Sequence, residues 1–196
     1  MAQKQDINFV KAVIIGEANG KTSLCDSLVG LPYSEHDSTI GCYSKHYSLS
    51  NGPYSYDFHV WDVSSSVLID DIHVGVMPMR LRHSNIIIIS YDSSILGIHE
   101  QIHSALEFSK PLVNPEKSCF IFVGTKLDIK PSSVDNSSEI AELCSKFSAK
   151  SIEISTKDQI NLIELRTIII ESCATLFSHE IHHSLVVEDS KSCIIL

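Results

Sequence analysis

The apolar run Phe9-Val10-Lys11-Ala12-Val13-Ile14-Ile15 stops at Gly16, and four residues later Gly20-Lys21-Thr22 opens a stretch with Leu24 and Leu28 on one face. An apolar run, a glycine-punctuated gap and a helical period read as strand, loop and helix. Such a strand needs neighbours to bury it, and the chain supplies them. Asn85 to Asp92 and Cys119 to Gly124 are apolar without alternation, as strands covered by helices on both faces are. Residues 42–49 and 54–63 alternate polar and apolar side chains around Ser50-Asn51-Gly52-Pro53, where Asn-Gly supplies the positive φ of a tight turn. That pattern predicts a hairpin. Helical stripes follow at Ile95, Ile98, Ile102 and Leu106, at Ile140, Leu143 and Phe147, and at Leu162, Leu165, Ile169 and Leu176. With Ser151 to Ser155 as a last strand, six strands and about five helices alternate, which predicts a doubly wound α/β sheet.

A chain of 196 residues, 43% of them hydrophobic, can build one domain with a real core. Its net charge of −9 offers no broad basic face, so nucleic acid is not an expected partner and any phosphate must be bound locally. Six cysteines lie far apart, with no CxxC pair and no apolar, positively flanked leader before them, which reads as free thiols in a reducing cytosol. The densest apolar run, Ile86 to Ile89, falls far below the roughly 18 residues needed to cross a bilayer. After Phe177 the periodicity fades, and 179–196 reads as a flexible tail leaving a domain of 1–178.

In an open sheet of this kind, ligands gather at the carboxyl ends of the strands. The chemistry-bearing residues fall there: Gly16 to Thr22 after the first strand, Asp62 at the end of the third, Thr125-Lys126-Leu127-Asp128 after the fifth, Ser155-Thr156-Lys157 after the sixth. A helix opening with Gly20-Lys21-Thr22 points free amides at an anion, adds the Lys21 ammonium for terminal phosphates and offers the Thr22 hydroxyl to Mg²⁺. Only Glu17, Ala18 and Asn19 separate the two glycines where four residues are usual, so one amide fewer wraps the β-phosphate. The Asp128 carboxylate can accept two hydrogen bonds from the N1–H and N2–H₂ edge of guanine, an edge adenine lacks. The aliphatic stem of Lys126 can cover the face of the base, and Ser155-Thr156-Lys157 would close the pocket with a backbone amide near the guanine carbonyl oxygen.

Taken together, GKT (20–22), STIG (38–41), Trp61-Asp62, VGTKLD (123–128) and STK (155–157) make the chain similar, from Phe9 to Phe177, to the Ras superfamily of small GTPases. The resemblance implies a three-layer P-loop small-GTPase fold with helices on both faces of a six-stranded, mostly parallel sheet. It implies GTP or GDP with Mg²⁺ as cofactors. Gly16, Asn19, Gly20, Lys21, Thr22 and Ser23 become the phosphate side of the site, and Thr125, Lys126, Asp128, Ser155, Thr156 and Lys157 the base side. By the same resemblance Thr39 is the switch I threonine on Mg²⁺ and the γ-phosphate, Thr22 a direct Mg²⁺ ligand and Asp62 a water-mediated one. Tyr33, 13 residues after Gly20, matches the aromatic that packs edge-on to the base. STIG looks Rab-like and GTKLD Rho-like; the 27 positions from Asp128 to Ser155 are too few for the extra helix of Rho members, which places the chain nearer Rab and vesicle traffic or related signalling. Effectors, exchange factors and GTPase-activating proteins would engage switch I and switch II.

Hydrolysis is where the chain departs. Family members read Asp-x-x-Gly-Gln after the third strand, whereas this chain reads Asp62-Val63-Ser64-Ser65-Ser66. Ser66 cannot orient the attacking water as glutamine does, in a site where chemistry is nearly all positioning and electrostatics, so no residue stands out as catalytic. Ser65 keeps the backbone amide for the γ-phosphate but loses glycine's freedom to swing. Switch I is also one residue short between Tyr33 and Thr39. The expectation is slow turnover; a prenylated adaptor that has lost nucleotide control is the alternative. Cys193-Ile194-Ile195-Leu196 fits the C-a-a-X pattern, with leucine favouring geranylgeranyl on Cys193. One isoprenoid with little basic help from the tail gives reversible attachment to the cytoplasmic face of membranes.

His99-Glu100-Gln101-Ile102-His103 also matches the H-E-x-x-H of zinc proteases, yet both histidines sit one position past the stripe residues Ile98 and Ile102, so solvent is their expected surroundings, as it is for His179 to His183. Asp70, Asp71 and Asp92 have no evident partner and read as solvated or capping groups. Val67 to Met79, rich in apolar side chains and closed to a long helix by Pro78, reads as a partner-binding face in the switch II position.

Overall fold

A computed structural model describes residues 7–17, 20–37, 39, 41–51, 54–65, 82–114 and 116–191. The expectations for Asn19, for Ser66, for the apolar face of 67–79 with Asp70 and Asp71, for the turn at 52–53 and for Cys193 lie outside these residues.

Strand β1 (Ile7–Ile15) leads into helix α1 (Lys21–Leu28), and β2 (Cys42–Asn51) with β3 (Tyr54–Val63) form the hairpin. Then come β4 (Ile86–Asp92), α2 (Ile98–Ser109), β5 (Cys119–Thr125), α3 (Ser137–Phe147), β6 (Lys150–Glu153) and α4 (Leu162–Lys191). The sheet order is β2-β3-β1-β4-β5-β6, with β2 antiparallel to β3 and every other pairing parallel. The doubly wound reading therefore holds.

Side chains alternate across the sheet as strand geometry requires. Val10, Ala12 and Ile14 of β1 face α1 and α4, packing with Leu24, Leu28, Leu165 and Ile169; Val13 and Ile15 face the other way, with Ile98, Ile102, Leu106 and Leu143 of α2 and α3. All seven residues of β4 are buried, which explains a strand without alternation. The five described cysteines are free, and burial pushes the Cys25 thiol up to about 12 and that of Cys119 to about 11, so neither is a thiolate near neutral pH.

Two expectations change. Ile95 does not join the α2 stripe: the helix starts only after Gly97, held at φ 85°, and Ile95 is half exposed. Among the described residues there are four α-helices. The last helix does not fade after Phe177 but runs as one 30-residue element to Lys191, in a stretch that contains neither Gly nor Pro to stop it. Among the described residues no helix is long and apolar enough to cross a membrane.

Parallel pairing has one consequence for function. The register sets Ile14 beside Asp62, Ile15 beside Ile89, Asp92 beside Thr125 and Gly124 beside Glu153, so the loops leaving β1, β3, β4, β5 and β6 share one edge.

Candidate nucleotide-binding site

Gly16 turns out of β1 at φ 143°, and Gly20 at φ 74° starts α1, its carbonyl accepting from the Leu24 amide at 2.9 Å. A side chain is excluded at Gly16: a Cβ there would lie 2.4 Å from the Ser90 carbonyl oxygen and 2.7 Å from Ser90 Oγ. The first turn of α1 carries Lys21, 6% exposed, whose Nζ donates to the Glu17 carbonyl at 2.8 Å, folding back across the loop. Burial holds its ammonium below the usual range, with Asp62 and Glu17 opposing. Ser23 is partly buried one position beyond Thr22.

Thr22 Oγ1 donates to Asp62 Oδ2 at 2.7 Å and lies 2.8 Å from Thr39 Oγ1. Asp62 is 2% exposed, and among the described residues its Oδ1 has no hydrogen-bond partner. A buried carboxylate oxygen left without a partner is costly, and beside two hydroxyls it presents the hard oxygen donors that Mg²⁺ takes. The residues thus fit that ion. Ser64, which the sequence did not single out, fastens the third member: its Oγ donates to the Thr39 carbonyl at 2.7 Å and its amide to the Gly41 carbonyl at 2.9 Å. Ser65, one position on, is partly buried. The segment carrying Thr39 is also tied to α1 by Asp26, whose buried carboxylate pairs with His36 Nε2 at 3.0 Å and with Lys45 of β2.

On the other side of the edge, Thr125 is buried, and its Oγ1 donates to the Tyr91 carbonyl at 3.1 Å while its carbonyl accepts from Ser93. Its hydroxyl would stand 3.9 Å from a Cβ at Gly20, so the phosphate loop and the base loop abut. Lys126 adopts φ 63°, an uncommon conformation for a lysine, and a 3₁₀ turn at Leu127–Ile129 then presents Asp128. Asp128 Oδ1 accepts from Ser155 Oγ at 2.7 Å, and that oxygen in turn accepts from the Asp158 amide at 3.0 Å. The fully buried Ser155 anchors the carboxylate from the β6 side; each carboxylate oxygen has two lone pairs, so the interaction leaves acceptor capacity. Ser155 and Ile160 exchange backbone hydrogen bonds that close a tight loop holding the partly buried Thr156 and the exposed Lys157.

Tyr33 is 43% exposed. One expected position differs. Asp92 is not a solvated carboxylate: its side chain is 10% exposed and its Oδ2 lies 2.5 Å from Lys126 Nζ. Sequence spacing had no means to reveal that pair, since the partners sit on different strands. His99 and His103 are both exposed on α2, and among the described residues no three His, Cys, Asp or Glu side chains converge as metal ligands.

The edge therefore carries, in chain order, a turn bounded by Gly16 and Gly20 with a buried lysine after it, a hydroxyl–carboxylate cluster joined to a connecting loop, and a carboxylate anchored by a buried serine. No curated protein matches the chain. The Ras family model matches residues 11–175, which takes in every one of these features. The chain belongs to the Ras family of small GTPases, whose members are guanine-nucleotide switches.

Proposed function

We propose that the protein is a membrane-associated guanine-nucleotide switch of the Rab-like type, acting in vesicle traffic or related signalling, with slow intrinsic GTP hydrolysis. The observation that carries the switch reading is Thr39 Oγ1 at 2.8 Å from Thr22 Oγ1, with Ser64 gripping the Thr39 backbone. In this reading Thr22 and Thr39 would hold Mg²⁺, with Asp62 acting through water, and a γ-phosphate would recruit Thr39 so that the segment around it has a GTP form and a GDP form. Asp128 reads the guanine edge, Lys126 covers the base, and Gly16, Gly20 and Lys21 cradle the phosphates. Mg²⁺, when bound, would supply neutralisation of phosphate charge.

Slow turnover rests on Ser66 at the glutamine position. Single-turnover hydrolysis is expected about tenfold or more below that of family members carrying the glutamine, and Ser66→Gln is expected to raise it. A wild-type rate equal to theirs, or no gain from Ser66→Gln, contradicts the proposal.

Membrane association rests on Cys193 in Cys-Ile-Ile-Leu. In cells, the wild-type protein is expected to divide between membrane and soluble fractions, as one isoprenoid allows, and Cys193→Ser to move wholly to the soluble one. An unchanged distribution would remove prenylation from the account. Should the purified protein bind no guanine nucleotide, the contracted loop between Gly16 and Gly20 would instead favour a nucleotide-independent, prenyl-tethered adaptor.

A further inference from the structure

We infer that Asp92 is a positioning residue of the guanine-base pocket, holding the Lys126 ammonium so that the Lys126 stem stands as a fixed wall against the base. The inference rests on the reading of Lys126 and Asp128 as base-contacting residues.

Asp92 ends β4 directly beside Thr125 of β5, at the root of the loop that carries Lys126 and Asp128. Its carboxylate is fixed on both oxygens. Oδ2 meets Lys126 Nζ at 2.5 Å, and Oδ1 accepts from the Ser94 amide at 2.9 Å and from Ser94 Oγ at 2.5 Å. Burial works to raise the carboxyl group's pKa, yet the bonds from Lys126 and Ser94 bring it below the usual range, so it is ionised at neutral pH. The backbone is held as firmly. The buried Gln101 of α2 accepts from the Asp92 amide through Oε1 at 2.7 Å and donates through Nε2 to the Asp92 carbonyl at 3.2 Å. A chain of contacts therefore runs from α2 through Asp92 to Lys126, ending on a lysine whose side chain is 41% exposed.

A half-exposed lysine left to itself samples many rotamers, and a base that used its stem as a wall would have to freeze them on binding. Tying the ammonium to a rigid carboxylate removes that freedom before the nucleotide arrives, which is how pre-organisation raises affinity. The effect falls on how long nucleotide stays. The choice of base belongs to Asp128.

A double-mutant cycle on the full-length protein tests this, with release of fluorescent GDP followed at millimolar Mg²⁺ and thermal unfolding recorded for each variant. Lys126→Met keeps the stem and removes the ammonium; Asp92→Asn keeps the shape and removes the charge. Asp92→Asn is expected to speed GDP release roughly five- to tenfold with its preference for GDP over ADP unchanged. In the Lys126→Met background the same change should add less than about twofold, because the contact it acts through is gone. Equal effects of Asp92→Asn in both backgrounds, or none in either, overturn the inference. If Asp92→Asn does not fold, Lys126→Arg against Lys126→Met carries the test: arginine, still able to pair with Asp92, should release GDP several-fold more slowly than methionine, and equal rates overturn the inference. A wild-type protein that binds no guanine nucleotide overturns this inference together with the reading beneath it, whereas tight wild-type binding with an uncoupled cycle overturns this one alone.

Discussion

Asp128→Ala is expected to erase the preference for guanine over adenine nucleotides, lowering GDP affinity about a hundredfold or more while leaving ADP binding where it was. A buried pocket that hydrogen-bonds one ligand edge loses that discrimination in full when its acceptor is removed, and the lost bonds are charge-assisted. The geometry argues for a large effect, because the Asp128 carboxylate is not a loose surface group. Ser155 holds Oδ1 at 2.7 Å and is itself buried and held by the Asp158 amide. Competition titrations of fluorescent GDP against GDP and ADP measure it. A retained guanine preference in Asp128→Ala would mean that the base is read elsewhere.

Gly16→Ala is expected to destabilise the protein by about 3 kcal/mol or more and to loosen nucleotide binding with it. The new methyl would meet the Ser90 carbonyl oxygen at 2.4 Å, and that oxygen belongs to fully buried β4, which cannot yield as a flexible side-chain tip does. Relief requires the end of β1 to part from β4, where Ile15 pairs with Ile89, and the φ of 143° adds backbone strain for any residue with a Cβ. Urea unfolding followed by the fluorescence of Trp61, the one tryptophan in the chain, gives the loss of stability. A change below about 1 kcal/mol would show that the β1 turn has slack the geometry denies.

Much of the site was legible because its chemistry is written in contiguous stretches. Strand, glycine turn and Lys21-Thr22 stand together, and so do Lys126 and Asp128 behind β5; each needs only a strand to end where the apolar residues end. Features built across strands were not legible. Asp92 and Lys126 lie 34 residues apart and meet because Asp92 and Thr125 are register partners. Ser64 reaches the Thr39 carbonyl, and Asp26 of α1 gathers His36 and Lys45, across separations that no local pattern encodes. The helix boundaries erred for local reasons. Ile95 shares the spacing of the α2 stripe but precedes Gly97, whose left-handed backbone delays the helix start. Beyond Phe177 the apolar period fades while the backbone meets no breaker, and a helix needs a reason to stop as much as a reason to begin.

The central claim is that a phosphate loop one residue short, completed by Asp128 at the far end of the same sheet edge, still holds a guanine nucleotide. Denaturing the protein as purified and identifying the released base tests it most directly. GDP or GTP at close to one per chain is the expected result. An empty extract, together with no rise in melting temperature on adding GTP and Mg²⁺, would contradict it.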